Sequence, residues 1–481
     1  MKFLPFVASL LAMVPGLHAA DTPPAKHPPN IVLILIDDMG WKDIAANGST
    51  YYKTPNIDRL AGEGIRFKNG YAACAVCSPS RASIMSGQTP ARLHITDWIP
   101  GEGAPKTSRF TVPAWDMKLE KTTPTLPELL RKHGYATAAI GKWHLGMDGP
   151  EAHGFDVNIA GGHTGHPASY FWPYGTANND HRVPMLAEAG GHDGEYLTDR
   201  LTDEAIKFID SHKEKPFFLY LAHYAVHAPL MAKDSDADLF KNSNPDGQQN
   251  FPVYAGMVKA VDDSVGRLLA DLKAQGLEDN TIVVFTSDNG GCVHFHATDN
   301  APLRGGKGFP YEGGLRVPLI VRAPGITKPG TVSDVPVIDT DFLPTFAHLA
   351  GIEGKPVPVL DGIDVTPALK GEKLQRDTFL WHYPHYWANG LISPYSVLHA
   401  GDWKIIRWNE YDSEELYNLA RDPSEKTDLA TKEPAKLKEM SAKLDAALKE
   451  QGAQLPVPRP DQKPARPAET NPARAPRFIR G

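Results

Sequence analysis

Four short apolar runs, each ending abruptly in polar residues, constrain this chain more than any other feature. Residues 31–36 are uniformly aliphatic and run into Asp37-Asp38, and residues 136–140 lead into Gly141-Lys142-Trp143-His144. Residues 217–221 lead towards His223 and His227-Ala228-Pro229, and residues 281–285 towards Ser287-Asp288-Asn289-Gly290. A run apolar at every position suits a strand covered on both faces. Helical patterns lie between the runs, at 125–133, 196–210 and 254–275. The alternation predicts an α/β fold, a large mixed, mostly parallel sheet sandwiched by helices. Ligands of such sheets bind at the carboxyl ends of the strands, where each run delivers metal-competent or titratable groups.

At 481 residues, 41% of them hydrophobic, the chain is long enough for two domains. The main one is expected over residues 27–371. After Gly371 the sequence turns rich in tryptophan and tyrosine, with strand patterns at 397–399, 403–407 and 415–419 and a helix at 434–451. Residues 372–455 therefore read as a smaller C-terminal subdomain, an antiparallel sheet plus helix. Residues 456–481, rich in proline and arginine, read as a disordered tail. Residues 1–20 hold one lysine, a short apolar run and then small residues, which predicts a cleaved signal peptide and a secreted or periplasmic protein. No run is long enough for a membrane span. A net charge of −7 argues against a nucleic-acid partner. Three cysteines, Cys74, Cys77 and Cys292, are too few for a disulfide framework, and pairing of Cys74 with Cys292 stays open.

The run CSPSRASIMSG begins at Cys77. Pro79 suits a first helical turn, Ser78 a cap and Gly87 a stop. Arg81 would then face the same way as Cys77, one turn on, and could join free backbone N–H groups around an oxyanion. Asp37, Asp38, Asp288 and Asn289 offer hard oxygen ligands, suited to calcium or magnesium rather than zinc. An isolated Asp-Asp pair is usually a solvated turn; here two such turns follow two buried strands. Lys142 and His144, two apart, share a face if the strand continues. Lys307 lies in LRGGKG, where glycines permit close backbone approach. Taken singly, such a lysine is a surface charge and such a histidine a structural one.

Together these residues carry a resemblance. CSPSR resembles the signature of the formylglycine-dependent (type I) sulfatases, arylsulfatase-like members of the alkaline phosphatase superfamily. GKWHLG, HAP and GGKG before YEGGLRVP follow in the family's order, and the resemblance covers about residues 30–428. It implies an alkaline phosphatase-like fold and conversion of Cys77 to 3-oxoalanine (formylglycine) by a formylglycine-generating maturation enzyme. It implies one Ca2+ ion held by Asp37, Asp38, Asp288, Asn289 and the modified Cys77. Arg81, Lys142 and Lys307 would clamp the sulfate. The hydrated aldehyde would attack sulfur with help from Asp288, His227 would protonate the departing alcohol oxygen, and His144 would take the proton whose loss expels sulfate.

The substrate is less directly written. Residues 161–166 (GGHTGH), 169–172 (SYFW), His294 and His296, and His382 and His385 with nearby tryptophans set imidazoles beside aromatic rings. Such surfaces stack on sugar faces, which predicts an exo-acting carbohydrate sulfatase on sulfated glycans, with His163, His166 and His294 as substrate-binding candidates. Two other readings compete. One is a phosphate or phosphonate ester hydrolase of the same superfamily, opposed by CSPSR and the single-metal ligand set. The other is a non-catalytic sulfated-glycan-binding protein, opposed by the acid and base residues, which binding alone does not need.

Overall fold

The computed structural model describes residues 28–176 and 179–460. The expected signal peptide therefore lies outside the described residues. The main-sheet strands are β1 (Asn30–Ile36), β2 (Ile65–Tyr71), β3 (Ala136–Gly141), β4 (Val157–Ile159), β5 (Phe217–Ala222), β6 (Thr281–Ser287), β7 (Arg316–Arg322), β8 (Thr331–Ser333) and β9 (Val337–Ile338). They form one sheet in the order β9-β2-β7-β6-β1-β5-β3-β4, with β8 paired to β2. The four apolar runs become its adjacent centre, β6-β1-β5-β3, all mutually parallel. Only β7 runs against its neighbours β2 and β6, which makes the sheet mixed.

Alternation along β1 divides the protein into two cores. Val32, Ile34 and Ile36 pack with Leu201, Phe208 and Leu268. Ile31, Leu33 and Leu35 pack with Ile84, Leu130 and Phe346 on the other side. Leu201 and Phe208 come from a long helix, Leu197–His212, and Leu268 from another, Pro252–Ala274. Each side chain so buried contributes roughly 1.5–3 kcal/mol, which is why these central strands carry no charged residue until they end.

Beyond residue 377 a second sheet of four antiparallel strands follows: β10 (Thr378–Tyr383), β11 (Tyr395–Ala400), β12 (Trp403–Trp408) and β13 (Ser413–Asn418), in that order. One face packs Leu398, Ile405 and Leu416 on Met440, Leu444 and Leu448 of the helix Pro434–Glu450. The other packs Trp381, Val397 and Ile406 against Tyr71, Val76 and Leu315 of the main unit. The tail expected to be disordered from residue 456 is held at its start. Val457 and Pro458 pair with Phe110 and Thr111, and Arg459 N–H donates to Arg109 O at 2.8 Å. The rest of that tail, from residue 461, lies outside the described residues. No described helix is long and apolar enough to cross a membrane.

Candidate active site

The carboxyl ends of β6, β1, β5 and β3 lie side by side, so their trailing residues meet in one place. Asp38 adopts a left-handed backbone (φ 61°), turning the chain sharply after β1. Its N–H donates to Asp288 Oδ1 at 3.2 Å, and Asn289 Nδ2 donates to Asp38 Oδ1 at 2.7 Å. Lys307 Nζ lies 2.7 Å from Asp38 Oδ1, Lys142 pairs with Asp37, and Arg81 Nε donates to Asp288 Oδ2 at 2.9 Å. Every one of these groups is buried.

The helix carrying Cys77 runs Cys77–Ser86 and stops at Gly87 (φ 67°), as its composition requires. Its cap differs from expectation. Val76 is the N-cap, and Ser78 lies inside the first turn with its Oγ accepting the Ile99 N–H at 3.1 Å. Cys77 Sγ sits 3.5 Å from both Asp37 Oδ1 and Lys307 Nζ. Lys142 and His144 also reach the site differently from the expected shared strand face. Strand β3 ends at Gly141 (φ 104°), where a Cβ would come within 1.9 Å of Ala222 O. His144 itself is left-handed (φ 60°), so a tight turn, not strand periodicity, delivers both side chains.

The electrostatics are those of a crowded anionic cluster with cations wedged into it. Burial, then the neighbouring Asp288, pushes the Asp37 carboxyl up to about 7. Burial acts the same way on Asp38, but Lys307 and His227 outweigh it and hold that carboxyl below its usual range. Burial pushes the Cys77 thiol up to about 12, although Lys142 and Lys307 oppose it. His227 and His144 are both held well below the usual imidazole range, by burial first and then by Lys307 and Lys142 respectively. His227 donates from Nδ1 to Ala228 O at 2.8 Å, which leaves Nε2 towards Asp38 Oδ2, 3.6 Å away. His144 Nε2 lies 2.6 Å from Ile99 O, and its Nδ1 is buried without a hydrogen-bond partner.

Asp37, Asp38, Cys77 and His227 place ligand atoms within 4.8 Å of one another. Asn289 Oδ1, beside them, is buried with no hydrogen-bond partner. An unsatisfied amide oxygen among three mutually repelling carboxylates is a donor set that fits a hard divalent cation such as calcium.

Above this floor opens a cavity of about 630 Å³, lined by Asp38, Cys77, His144, His227 and Lys307. Two expected substrate contacts, His163 and His166, also line it. His166 stacks between His181 (ring centroids 3.9 Å apart) and His227 (5.7 Å). The third, His294, does not line the cavity: its ring stacks on Trp387 at 4.8 Å, and Phe295 takes the place at the wall. His382 is likewise structural, held between Ser396 Oγ and Gln454 O. Sequence reasoning missed Trp98, Ile99 and Pro100, and Asp180 and His181, all of which line the cavity, whereas Trp387, one of the tryptophans noted near His385, is in its wall. The missed residues sit in irregular segments with no periodicity to mark them.

The match to known proteins covers nearly the whole chain. The family model described as "Sulfatase" matches residues 29–352, and that described as "N-sulphoglucosamine sulphohydrolase, C-terminal" matches residues 306–454. Mouse (Mus musculus) N-acetylgalactosamine-6-sulfatase is 34% identical over 429 residues, covering 85% of this chain and 76% of that protein. A sulfatase of Formosa agariphila is 32% identical, covering 89% of each. Among solved structures, Ps i-CgsB in complex with k-i-k-neocarrahexaose superposes with a TM-score of 0.73 at 32% identity, over 93% of this chain and 96% of that one. Another, in complex with its substrate D-glucosamine-2-N,6-O-disulfate, gives a TM-score of 0.71 at 25% identity, over 88% of this chain and 98% of that one.

Proposed function

The chain belongs to the formylglycine-dependent sulfatase family and is a sulfuric ester hydrolase, and from that premise we propose that it removes sulfate from sulfated glycans, acting at chain ends, with Cys77 converted to formylglycine and one calcium ion. The observation that carries this reading is the convergence of Arg81, Lys142, Lys307, three carboxylates and the Asn289 amide around Cys77 at the foot of a bounded cavity. One relative, an N-acetylgalactosamine-6-sulfatase, and one solved structure, bound to D-glucosamine-2-N,6-O-disulfate, support the carbohydrate assignment because their names pair sulfate with a sugar. Ps i-CgsB adds a structure bound to k-i-k-neocarrahexaose.

Asp37, Asp38, Asp288 and Asn289 would hold the calcium, with the modified Cys77 beside it. Bound there, calcium supplies fixed positive charge that lowers the pKa of a coordinated hydroxyl and neutralises the sulfate oxygens. Lys142, Lys307 and Arg81 hold the sulfate still and meet the charge that builds on it, a contribution worth roughly 100- to 1000-fold per donor. Their partners in the cluster keep them aimed.

His227 keeps its Nδ1 proton on Ala228 O, so Nε2 is the atom that must first take up a proton, favoured by the negative charge of a bound sulfate, before passing it to the departing alcohol oxygen. His144 keeps Nε2 on Ile99 O, so Nδ1 is the atom that takes the proton whose removal releases sulfate. A cysteine left as a thiol lacks the second hydroxyl that this release needs. His163 and His166 on the wall, with Trp98 and Trp387, are positioned for the sugar. The expected signal peptide assigns the protein to the periplasm or the exterior, where such glycans occur.

Mass spectrometry of the Cys77 peptide, from protein made alongside a formylglycine-generating enzyme, should show a loss of roughly 18 Da from thiol-to-aldehyde conversion. The same preparation should release sulfate from sulfated oligosaccharides and leave the matching phosphate esters nearly untouched. An alkylatable thiol under those conditions, or preference for phosphate, sinks this reading in favour of binding or phosphoryl chemistry.

A further inference from the structure

We infer that Asp97, Tyr383 and His385 form a positioning cluster through which the small antiparallel sheet sets the tautomer of His144. The inference rests on the role given to His144 above. Its starting point is a carboxylate that the catalytic scheme leaves unused. Asp97 is 1% exposed, yet it carries the loop that crosses from the active site to the second sheet.

Asp97 Oδ1 accepts two hydrogen bonds, from the Trp98 N–H and the Tyr383 hydroxyl, each 2.8 Å long. Its Oδ2 lies 3.7 Å from His385 Nδ1. A Cβ added to Gly101 would stand 2.8 Å from the same Oδ2, so the loop curls round the carboxylate. His385 Nε2 reaches back to Thr96 Oγ1 at 2.8 Å, anchoring the residue before the hub. Tyr383 ends β10 and His385 follows it, so both anchors belong to the second sheet. Burying a carboxyl, a phenol and an imidazole together is costly unless each finds its partner, and an apolar anchor would have held a loop at lower cost. What the polar hub adds is direction.

That direction is delivered at Ile99, two residues on. Its N–H donates to Ser78 Oγ on the Cys77 helix at 3.1 Å, and its carbonyl lies 2.6 Å from His144 Nε2. A carbonyl only accepts, so Nε2 carries the proton and the Nδ1 lone pair is left open. Nδ1 is buried with no competing partner, and His144 shares the cavity wall with Cys77. Gly165 closes the other side of the ring, where a Cβ would meet Cε1 at 2.6 Å. The imidazole is thus presented as a base by a carbonyl whose place depends on Asp97.

The test is 15N NMR of histidine-labelled full-length protein, with His144→Gln assigning the His144 signals, alongside kinetics of the matured enzyme on 4-nitrophenyl sulfate. The wild-type spectrum should show the Nε2–H tautomer of His144. In Asp97→Asn and Tyr383→Phe that signature should move towards a mixture of tautomers. Their kcat should fall roughly 10- to 100-fold, as when an outer hydrogen-bond partner of a functional histidine is lost, with KM little changed. Leu444→Ala, which opens a cavity between the second sheet and its helix, should lower stability and leave the His144 signals in place. If Asp97→Asn fails to fold, Tyr383→Phe and Thr96→Val, each losing one hydroxyl, carry the test. An unchanged His144 tautomer in folded variants of the cluster overturns the proposal, whatever happens to their stability. Full turnover by His144→Gln would instead overturn the role given to His144, while the tautomer data would still report on the cluster.

Discussion

Two buried clusters of charge lie in this protein, and they are built to different ends. At the junction of the two sheets, Glu312 is flanked by Arg316 at 2.6 Å and Lys404 at 2.8 Å, and Lys404 also reaches Glu425 at 2.8 Å. The Glu312 carboxylate takes the Tyr71 hydroxyl as well, and Glu425 accepts the Glu312 N–H. Two acids and two bases close on one another, away from the active-site cavity. Burial alone would raise Glu312, yet Lys404 and Arg316 hold its carboxyl well below the usual range. At the active site three acids also face three bases, but the Asn289 amide oxygen is unmet and a cavity opens above. A closed cluster fastens two layers together. An incomplete one is a site awaiting a ligand.

The comparison can be broken most sharply at Cys77. Cys77→Ala should cut turnover by at least roughly 1000-fold, the order expected when a nucleophile is removed, with the melting temperature nearly unmoved; retained turnover would mean the chemistry lies elsewhere. The mirror experiment is Glu312→Ala, which strands Lys404 and Arg316. It should cost about 3–5 kcal/mol in urea unfolding, while KM of whatever folds stays unchanged. A loss below 1 kcal/mol, on the order of an exposed pair, would show that the junction cluster does not fasten the sheets.

Calcium should separate the two clusters next. At a hundredfold excess over its dissociation constant it should add about 2.7 kcal/mol to stability, read as a rise in melting temperature over protein in chelator. The rise should vanish in Asn289→Ala and persist in Glu312→Gln; the same rise in both variants would place the ion outside the active site. The smallest effect is that of pH on the second sheet. Burial holds His382 down at about 4 and His385 at about 3, against about 6.5 in an unfolded chain. The folded state therefore binds fewer protons in that window, so stability is full above about pH 6.5 and declines as pH falls towards 4. His382→Gln should flatten the decline of the urea midpoint between pH 7 and 4.5, and an unaltered slope would remove His382 from the account.

How much of this was legible in the sequence follows from where each residue gets its constraint. The central strands β1, β3, β5 and β6 announce themselves because burial on both faces leaves no charged position inside them. Strand β2, IRFKNGY, set apart from them by β7, is only partly buried and carries Arg66, Lys68 and Asn69, so its pattern is broken. Strand β7, RVPLIVR, is buried throughout but interrupted by Pro318 and bounded by two arginines. Asp37, Asp38, Asp288 and Asn289 were readable as strand-end groups. Much of the wall was not, because Trp98, Pro100 and His181 are placed by loops whose shape depends on contacts far along the chain, such as Asp97 with Tyr383. His294 shows the converse error: its neighbourhood was right, but a residue's orientation in a loop is set by packing, here on Trp387.

The helix that begins at Cys77 is buried along its whole length, Ser78, Pro79, Ser80 and Arg81 included. In the folded protein Cys77 is only 2% exposed, so an enzyme acting on this run would find its side chains covered. If Cys77 is converted as proposed, conversion would have to come early, while the segment is still an open peptide, in competition with folding itself. A chain that folded first would keep its thiol, its fate decided by timing as much as by sequence.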